Sequence, residues 1–262
     1  MKHSLDKPVK IVMIGAGGTG SYVAMHLYRL MHCLTAPHGG NGGRNVRIII
    51  ADGDSVEEKN LVRQHFTPAD LGLNKAQVIA ERYASAFSMK AEYVPDFIED
   101  KARLHELVKP AFTTGIKDTV MPYRELVILL GCVDNNKSRK LCNEVFYECK
   151  DLIYIDSGNG EYSGQVVCGV RRKGRTLAKP VGFYYPDVLE DTDKFPTELS
   201  CAEASASAPQ TIAANMTAAT MVVNLLHNIL VLGDNKVKSV SFSTKTLNSQ
   251  PITETRKKQN AA

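Results

Sequence analysis

A compact apolar strand that runs straight into a glycine-rich turn and then a helix restricts this chain more than any other feature. Val9 to Ile14 is followed without a spacer by Gly15-Ala16-Gly17-Gly18-Thr19-Gly20, after which Val23, Leu27 and Leu30 recur at helical spacing. Gly15, Gly17 and Gly20 fit the pattern G-x-G-x-x-G. The first glycine permits a tight turn, the second lets backbone amides approach a phosphate, and the third lets the helix pack close, with its positive N-terminus facing the phosphate. A tight turn without a ligand is the other reading. The position between strand and helix favours a nucleotide.

The alternation continues. Thr35 to Asn45 holds four glycines and a proline and reads as an inserted loop before a second strand, Val46 to Ala51. Helices are expected over Asn74 to Phe87, Lys101 to Lys109 and Asn135 to Cys149, with strands at Glu92 to Pro95, Leu126 to Gly131 and Leu152 to Asp156. The fold class is therefore α/β: a Rossmann-like doubly wound, mostly parallel sheet with flanking helices. From Gln165 the pattern changes to a strand at Val166 to Val170, a turn at Arg171 to Arg175 and an irregular crossover containing Pro180, Pro186 and Pro196. A helix from Pro209 to Leu232 and a strand at Val237 to Phe242 follow. We expect one domain over 1–262: a nucleotide-binding core at 1–157, a C-terminal sheet, crossover loop and helix at 158–243, and a flexible tail at 244–262.

Composition excludes several classes. The 44% hydrophobic and 23% charged fractions suit a folded domain in water, and the net charge of +4 is dispersed except at Arg256, Lys257 and Lys258, so no nucleic-acid surface is expected. The first residues lack the apolar core of a secretory signal, which predicts a cytoplasmic protein. The apolar run Ile212 to Leu232 is interrupted by Asn215, Asn224, His227 and Asn228 and reads as a buried or oligomer-facing helix, with no membrane association expected. Six cysteines, none in a C-x-x-C pair, predict free thiols and no structural zinc.

Several residues beyond the glycines carry chemistry. Asp52 closes the second strand, where a carboxylate accepts hydrogen bonds from ribose hydroxyls, a feature that suits NAD as well as ATP. Asp54 is either a magnesium-directed acid or a solvated turn residue. Asn60, Arg63 and Gln64, with Lys75 at the start of a helix, could surround a triphosphate and neutralise charge developing on pyrophosphate. Asp134 follows a strand at the sheet's carboxyl edge, either as a magnesium ligand or as the N-cap of the next helix.

Together these pieces resemble the ThiF, MoeB and HesA group of ubiquitin-activating-like (E1-like) enzymes, from about Val9 to Leu232. The resemblance is carried by Gly15 to Gly20, Asp52-Gly53-Asp54, Asn60 to Gln64, Asn74-Lys75 and Val133-Asp134-Asn135. It implies a single adenylation domain in which Asp52 holds the ATP ribose, Asn60, Arg63, Gln64 and Lys75 contact phosphates, and Asp134 positions Mg²⁺. Arg63, Lys75 and Asp134 would form the catalytic core. The implied reaction is ATP-dependent adenylation of the C-terminal glycine of a small ubiquitin-like protein, by a homodimer. Ser200-Cys201-Ala202-Glu203 resembles the segment that holds the group's sulfur-bearing cysteine, making Cys201 the candidate nucleophile; a small buried cysteine is the alternative. Within the group, the insert Gly39 to Gly43 and the segment Asn159 to Gln165 look most like the ThiF-family protein of the bacterial PRTRC system. The C-x-x-C pairs of many relatives are absent, and residues 1–8 lack the arginine that many relatives insert into the neighbouring subunit. An NAD(P)-dependent oxidoreductase and a non-catalytic scaffold binding nucleotide or a ubiquitin-like protein are the alternatives; the first leaves the Asn60 to Lys75 cluster unexplained.

Overall fold

The computed structural model describes residues 7–35, 45–113, 123–190, 193–199 and 209–253. The glycine-rich insert, Cys201 and the basic tail lie outside the described residues.

Strand β1 (Val9–Ile14) enters helix α1 (Gly18–Thr35) through the glycine turn, and β2 (Val46–Ala51) follows. Helix α2 (Lys75–Ala86), the short strand β3 (Tyr93–Val94) and helix α3 (Lys101–Val108) come next. Two-residue strands β4 (Phe112–Thr113) and β5 (Tyr123–Arg124) form a separate antiparallel pair. Strand β6 (Leu126–Gly131), helix α4 (Asn136–Glu148) and the strands β7 (Leu152–Asn159), β8 (Ser163–Arg172) and β9 (Arg175–Ala178) lead to the short helix α5 (Val181–Tyr184). Helix α6 (Ile212–Leu230) and strands β10 (Val237–Ser243) and β11 (Asn248–Thr253) complete the order.

The nine-stranded main sheet has the order β11-β10-β8-β7-β6-β1-β2-β3, with β9 on β8. The five strands from β7 to β3 run parallel, and the C-terminal strands add antiparallel. The α/β architecture is as the sequence implies.

Both faces of the sheet are covered, so its central strands are apolar on both sides rather than alternating with polar residues. In β1, Val9, Ile11 and Met13 face the core shared with Val23, Leu27, Tyr28 and Met31 of α1 and Leu225, Leu226 and Ile229 of α6. Val12 and Ile14 face the opposite core, with Leu104 and Val108 of α3 and Val145 and Phe146 of α4. Because successive strand side chains alternate, one six-residue strand anchors two helical layers.

Three details differ from expectation. Strand β8 is longer than Val166 to Val170, and the crossover begins with β9, paired after a turn in which Lys173 and Gly174 take φ of 51° and 76°. Strand β11 occupies part of the expected tail; all six of its residues are exposed, and it is held by pairing to β10. The strand at Leu152 extends to Asn159 and turns directly into β8.

The chain places β2 and β3 on one side of β1, then returns to place β6 on the other. That reversal opens a crevice at the carboxyl ends of β1 and β6, where open α/β sheets bind ligands.

Candidate functional site

A cleft of about 830 Å³ lies at this crevice. Gly15, Gly17, Gly18, Asp52, Asp54, Asn60, Arg63, Gln64, Lys75 and Asp134 all line it, although they come from separate segments. Gly20 does not line it, and Cys201 is outside the described residues.

The glycines have separable roles. Gly15 has φ of +93°, and a β-carbon there would lie 2.6 Å from the Cys132 carbonyl oxygen, so this turn requires glycine. At Gly20 a β-carbon would sit 2.1 Å from the Gly15 oxygen; its absence lets α1 seat directly over the turn. At Gly18 a β-carbon would meet Asn215 Nδ2 at 2.6 Å and Arg63 Nη1 at 3.0 Å. Gly17 has nothing nearer than 3.9 Å and faces open cleft.

Asp52 braces the turn. Its Oδ2 accepts the Ala16 N–H at 2.6 Å and its Oδ1 accepts the Asp54 N–H at 2.9 Å, leaving each oxygen of this cleft-lining residue further accepting capacity. Burial pushes its carboxyl up to about 6, with Lys75 opposing and Asp54 adding to the rise. Asn74 caps α2 by accepting the Gln77 N–H at 3.0 Å and donates to the Asp52 carbonyl at 2.8 Å. The capped helix holds buried Lys75 against the exposed Asp54 carboxylate, Nζ to Oδ2 2.8 Å. Asn60 accepts the Glu57 N–H at 2.9 Å, and Arg63 Nη1 donates to Gln210 Oε1 at 2.7 Å.

Asp134 is exposed, and the N-cap of α4 is its neighbour Asn135, whose Oδ1 accepts the Ser138 N–H at 2.8 Å. Capping therefore does not consume Asp134. Among the described residues no group of three His, Cys, Asp or Glu side chains could hold a metal ion. Asp134 still suits magnesium, which takes one or two carboxylates and completes its shell with phosphate oxygens and water.

Sequence reasoning missed a second set of residues. Arg139 of α4, on the cleft wall, donates to Asp156 through Nε at 3.2 Å and Nη2 at 2.5 Å, and the Tyr154 hydroxyl donates to Asp156 at 2.7 Å. Both members of the pair are buried, Asp156 completely. Thr19 donates to Asn159 Oδ1 at 2.8 Å, and Asn159 donates to Asn215 Oδ1 at 2.9 Å, tying α1, β7 and α6 together behind the turn. Buried Gln64 Oε1, Ser157 Oγ and Asn215 Nδ2 lack hydrogen-bond partners in the described structure, and Gln64 and Ser157 line the cleft. Orphaned polar groups beside a glycine turn are what a polar ligand would satisfy. Asp156 offered a signal, an acid inside an apolar strand; the asparagines offered none.

The ThiF family matches the sequence across residues 5–262. The chain belongs to the ThiF family.

Among solved structures, this ThiF-family chain is similar to PaaA, with a TM-score of 0.60 and 18% identity over 94% of this chain and 64% of PaaA. It is similar to E. coli MccB with ATP, with a TM-score of 0.61 and 19% identity over 95% of this chain and 64% of that one. The microcin C7 biosynthetic enzyme MccB in complex with N-formylated MccA gives 0.61 and 18%, covering 94% and 64%. The chain thus spans less than two thirds of each of these proteins, and the likeness is one of fold. No curated protein matches the sequence. Among the described residues no helix is long and apolar enough to cross a membrane.

Proposed function

We propose that this ThiF-family chain is an ATP-dependent adenylyltransferase that activates the C-terminal carboxylate of a small ubiquitin-like protein. The observation that carries the reading is the convergence, on one cleft at the strand-order reversal, of the glycine turn with Arg63, Lys75 and Asp134. The MccB structure with ATP supports it by likeness of fold.

In this reading the ribose meets Asp52, and the phosphates lie along Gly17, Gly18 and the N-terminus of α1, within reach of Asn60 and Gln64. Arg63 and Lys75 each have one partner to release, Gln210 and Asp54, before turning to phosphate oxygens. A carboxylate oxygen of the substrate attacks the α-phosphorus, the bond to the pyrophosphate breaks, and the two cations neutralise the charge that leaves. Mg²⁺, bound through Asp134, would add further neutralisation of the phosphates.

Transfer to Cys201 as a thioester, a homodimeric state, and membership of the PRTRC-system branch belong to the same proposal. Gln210, close behind Cys201 in sequence, reaches the cleft and supports the first. Exposed Ile212 and Met216 on α6 support the second, and Asn159, Gly160, Gly164 and Gln165 on the cleft wall support the third.

The test is exchange of labelled pyrophosphate into ATP, with glycine-ended ubiquitin-like proteins as substrates. Exchange should depend on the protein substrate and fall about 100- to 1,000-fold in Arg63→Ala and Asp134→Ala. No exchange alongside measurable ATP binding would replace adenylation with a scaffold, and binding of NAD but not ATP would point to an oxidoreductase.

A further inference from the structure

A second constellation lies at the far end of α4, roughly 20 Å along the helix from the cleft. Cys149, the residue that ends α4, has its Sγ 4.0 Å from His105 Nδ1 on α3, and His105 Nε2 lies 2.6 Å from Glu148 Oε2. These distances order the three groups. A carboxylate only accepts, so Nε2 carries the proton donated to Glu148, and Nδ1 is the ring nitrogen able to take the thiol proton. Nucleophile, base and orienting acid thus stand in line, the arrangement that activates a thiol.

Most of the charged groups around the triad have partners. The negative end of α4 would disfavour a thiolate, but Arg171 of β8 donates its Nε–H to the Cys149 carbonyl at 2.8 Å and offsets that end. His105 is in the last turn of α3. Lys101 bridges Glu144 and Glu148 at 2.8 and 3.0 Å, while the His105 hydrogen bond and then Lys101 hold the Glu148 carboxyl below its usual range. Glu106 is paired with Arg103 at 2.8 Å, and Asp151 accepts the Lys173 N–H at 2.9 Å.

Cys149 and His105 open into a cavity of about 380 Å³ whose charged lining is Lys109 and Lys150, both exposed, with Glu106 and Asp151. With two lysines and two acids in its lining, the cavity suits a small molecule that carries both carboxylate and ammonium groups. We propose that Cys149 is a reactive thiol, activated by His105 and Glu148, that is modified by low-molecular-weight disulfides carrying both carboxylate and ammonium groups. The Cys149 thiolate attacks one sulfur of the disulfide, a new S–S bond forms as the old one breaks, and the released thiolate takes up the proton that Cys149 gave to His105. No other oxidant is needed, and the step is independent of the chemistry of the cleft.

The experiment follows alkylation of the full chain by iodoacetamide from about pH 5.5 to 9, a range spanning the ordinary thiol value of about 8.5, with each cysteine read by peptide mass spectrometry. Exposed Cys33 is the internal reference. The Cys149 profile should have its midpoint below that of Cys33, and His105→Asn should slow Cys149 at about pH 6 by about tenfold while leaving it within about twofold near pH 9. Glu148→Gln should give an intermediate shift, and serves alone if His105→Asn fails to fold. Incubation with glutathione disulfide should add one glutathione at Cys149, reversibly with dithiothreitol and more slowly in Lys109→Glu/Lys150→Glu. A Cys149 midpoint that matches Cys33 and does not move in the variants, or glutathione on Cys33 but not on Cys149, would overturn the proposal.

Discussion

Replacing Asp156 by asparagine leaves the shape of the site nearly unchanged while removing the charge that meets the Arg139 guanidinium. Asp156 is completely buried and Arg139 nearly so, with hydrogen bonds of 3.2 and 2.5 Å between them. In Asp156→Asn the guanidinium keeps a contact to Asn136 Oδ1 at 3.4 Å and no carboxylate in hydrogen-bond range. A buried charge left without its counter-ion costs about 3–5 kcal/mol, and at about 2–4 °C per kcal/mol for a chain of this size the melting temperature should fall by about 6–20 °C. The loss should come from the orphaned charge rather than from the missing attraction. The triple variant Arg139→Met/Tyr154→Phe/Asp156→Val removes both charges and the hydroxyl that also bonds Asp156, leaving no charge stranded. It should therefore recover most of the loss. Urea unfolding of the three proteins provides the measurement. A single variant within about 1 kcal/mol of the native chain, or a triple variant no more stable than the single, would refute the reasoning.

Gly20→Ala places a carbon 2.1 Å from the Gly15 oxygen and should cost about 3 kcal/mol in thermal or urea unfolding. Gly17→Ala, with nothing nearer than 3.9 Å, should hold stability within about 0.5 kcal/mol yet weaken nucleotide binding measured by calorimetry. Because burial lifts Asp52 to about 6 from 3.8, the folded chain keeps a proton that the unfolded chain has released, and stability falls as pH rises between those values. At about 1.4 kcal/mol per pH unit that loss is about 3 kcal/mol, and Asp52→Asn should remove it; equal slopes in both proteins would contradict the assignment. Asn135→Ala should lose about 1 kcal/mol by deleting the α4 cap, whereas Asp134→Ala should leave unfolding unchanged while exchange of pyrophosphate into ATP collapses.

The legible parts of this molecule were those encoded over short spans. Val9 to Gly20 carries a strand, a forced turn and a helix within a dozen residues, and β6 with Asp134 could be placed at the carboxyl edge by the same pattern. Which of Asp134 and Asn135 caps α4 turns on one residue of register, finer than periodicity resolves. Strand β11 has no apolar alternation, since both its faces are exposed and backbone pairing alone holds it. The Arg139–Asp156 pair and the Thr19–Asn159–Asn215 chain join residues 17, 140 and 56 positions apart, so only the folded sheet brings them together.

The contact between Gly18 and Asn215 has an evolutionary consequence. Asn215 Nδ2 occupies the space into which any side chain at position 18 would grow, and Asn215 is itself fully buried. A side chain at 18 therefore requires Asn215, nearly two hundred residues away in sequence, and Arg63 to give way. A lineage that acquires a side chain at 18 must first or simultaneously shrink 215, whereas glycine at 18 sets no such limit on a smaller residue at 215.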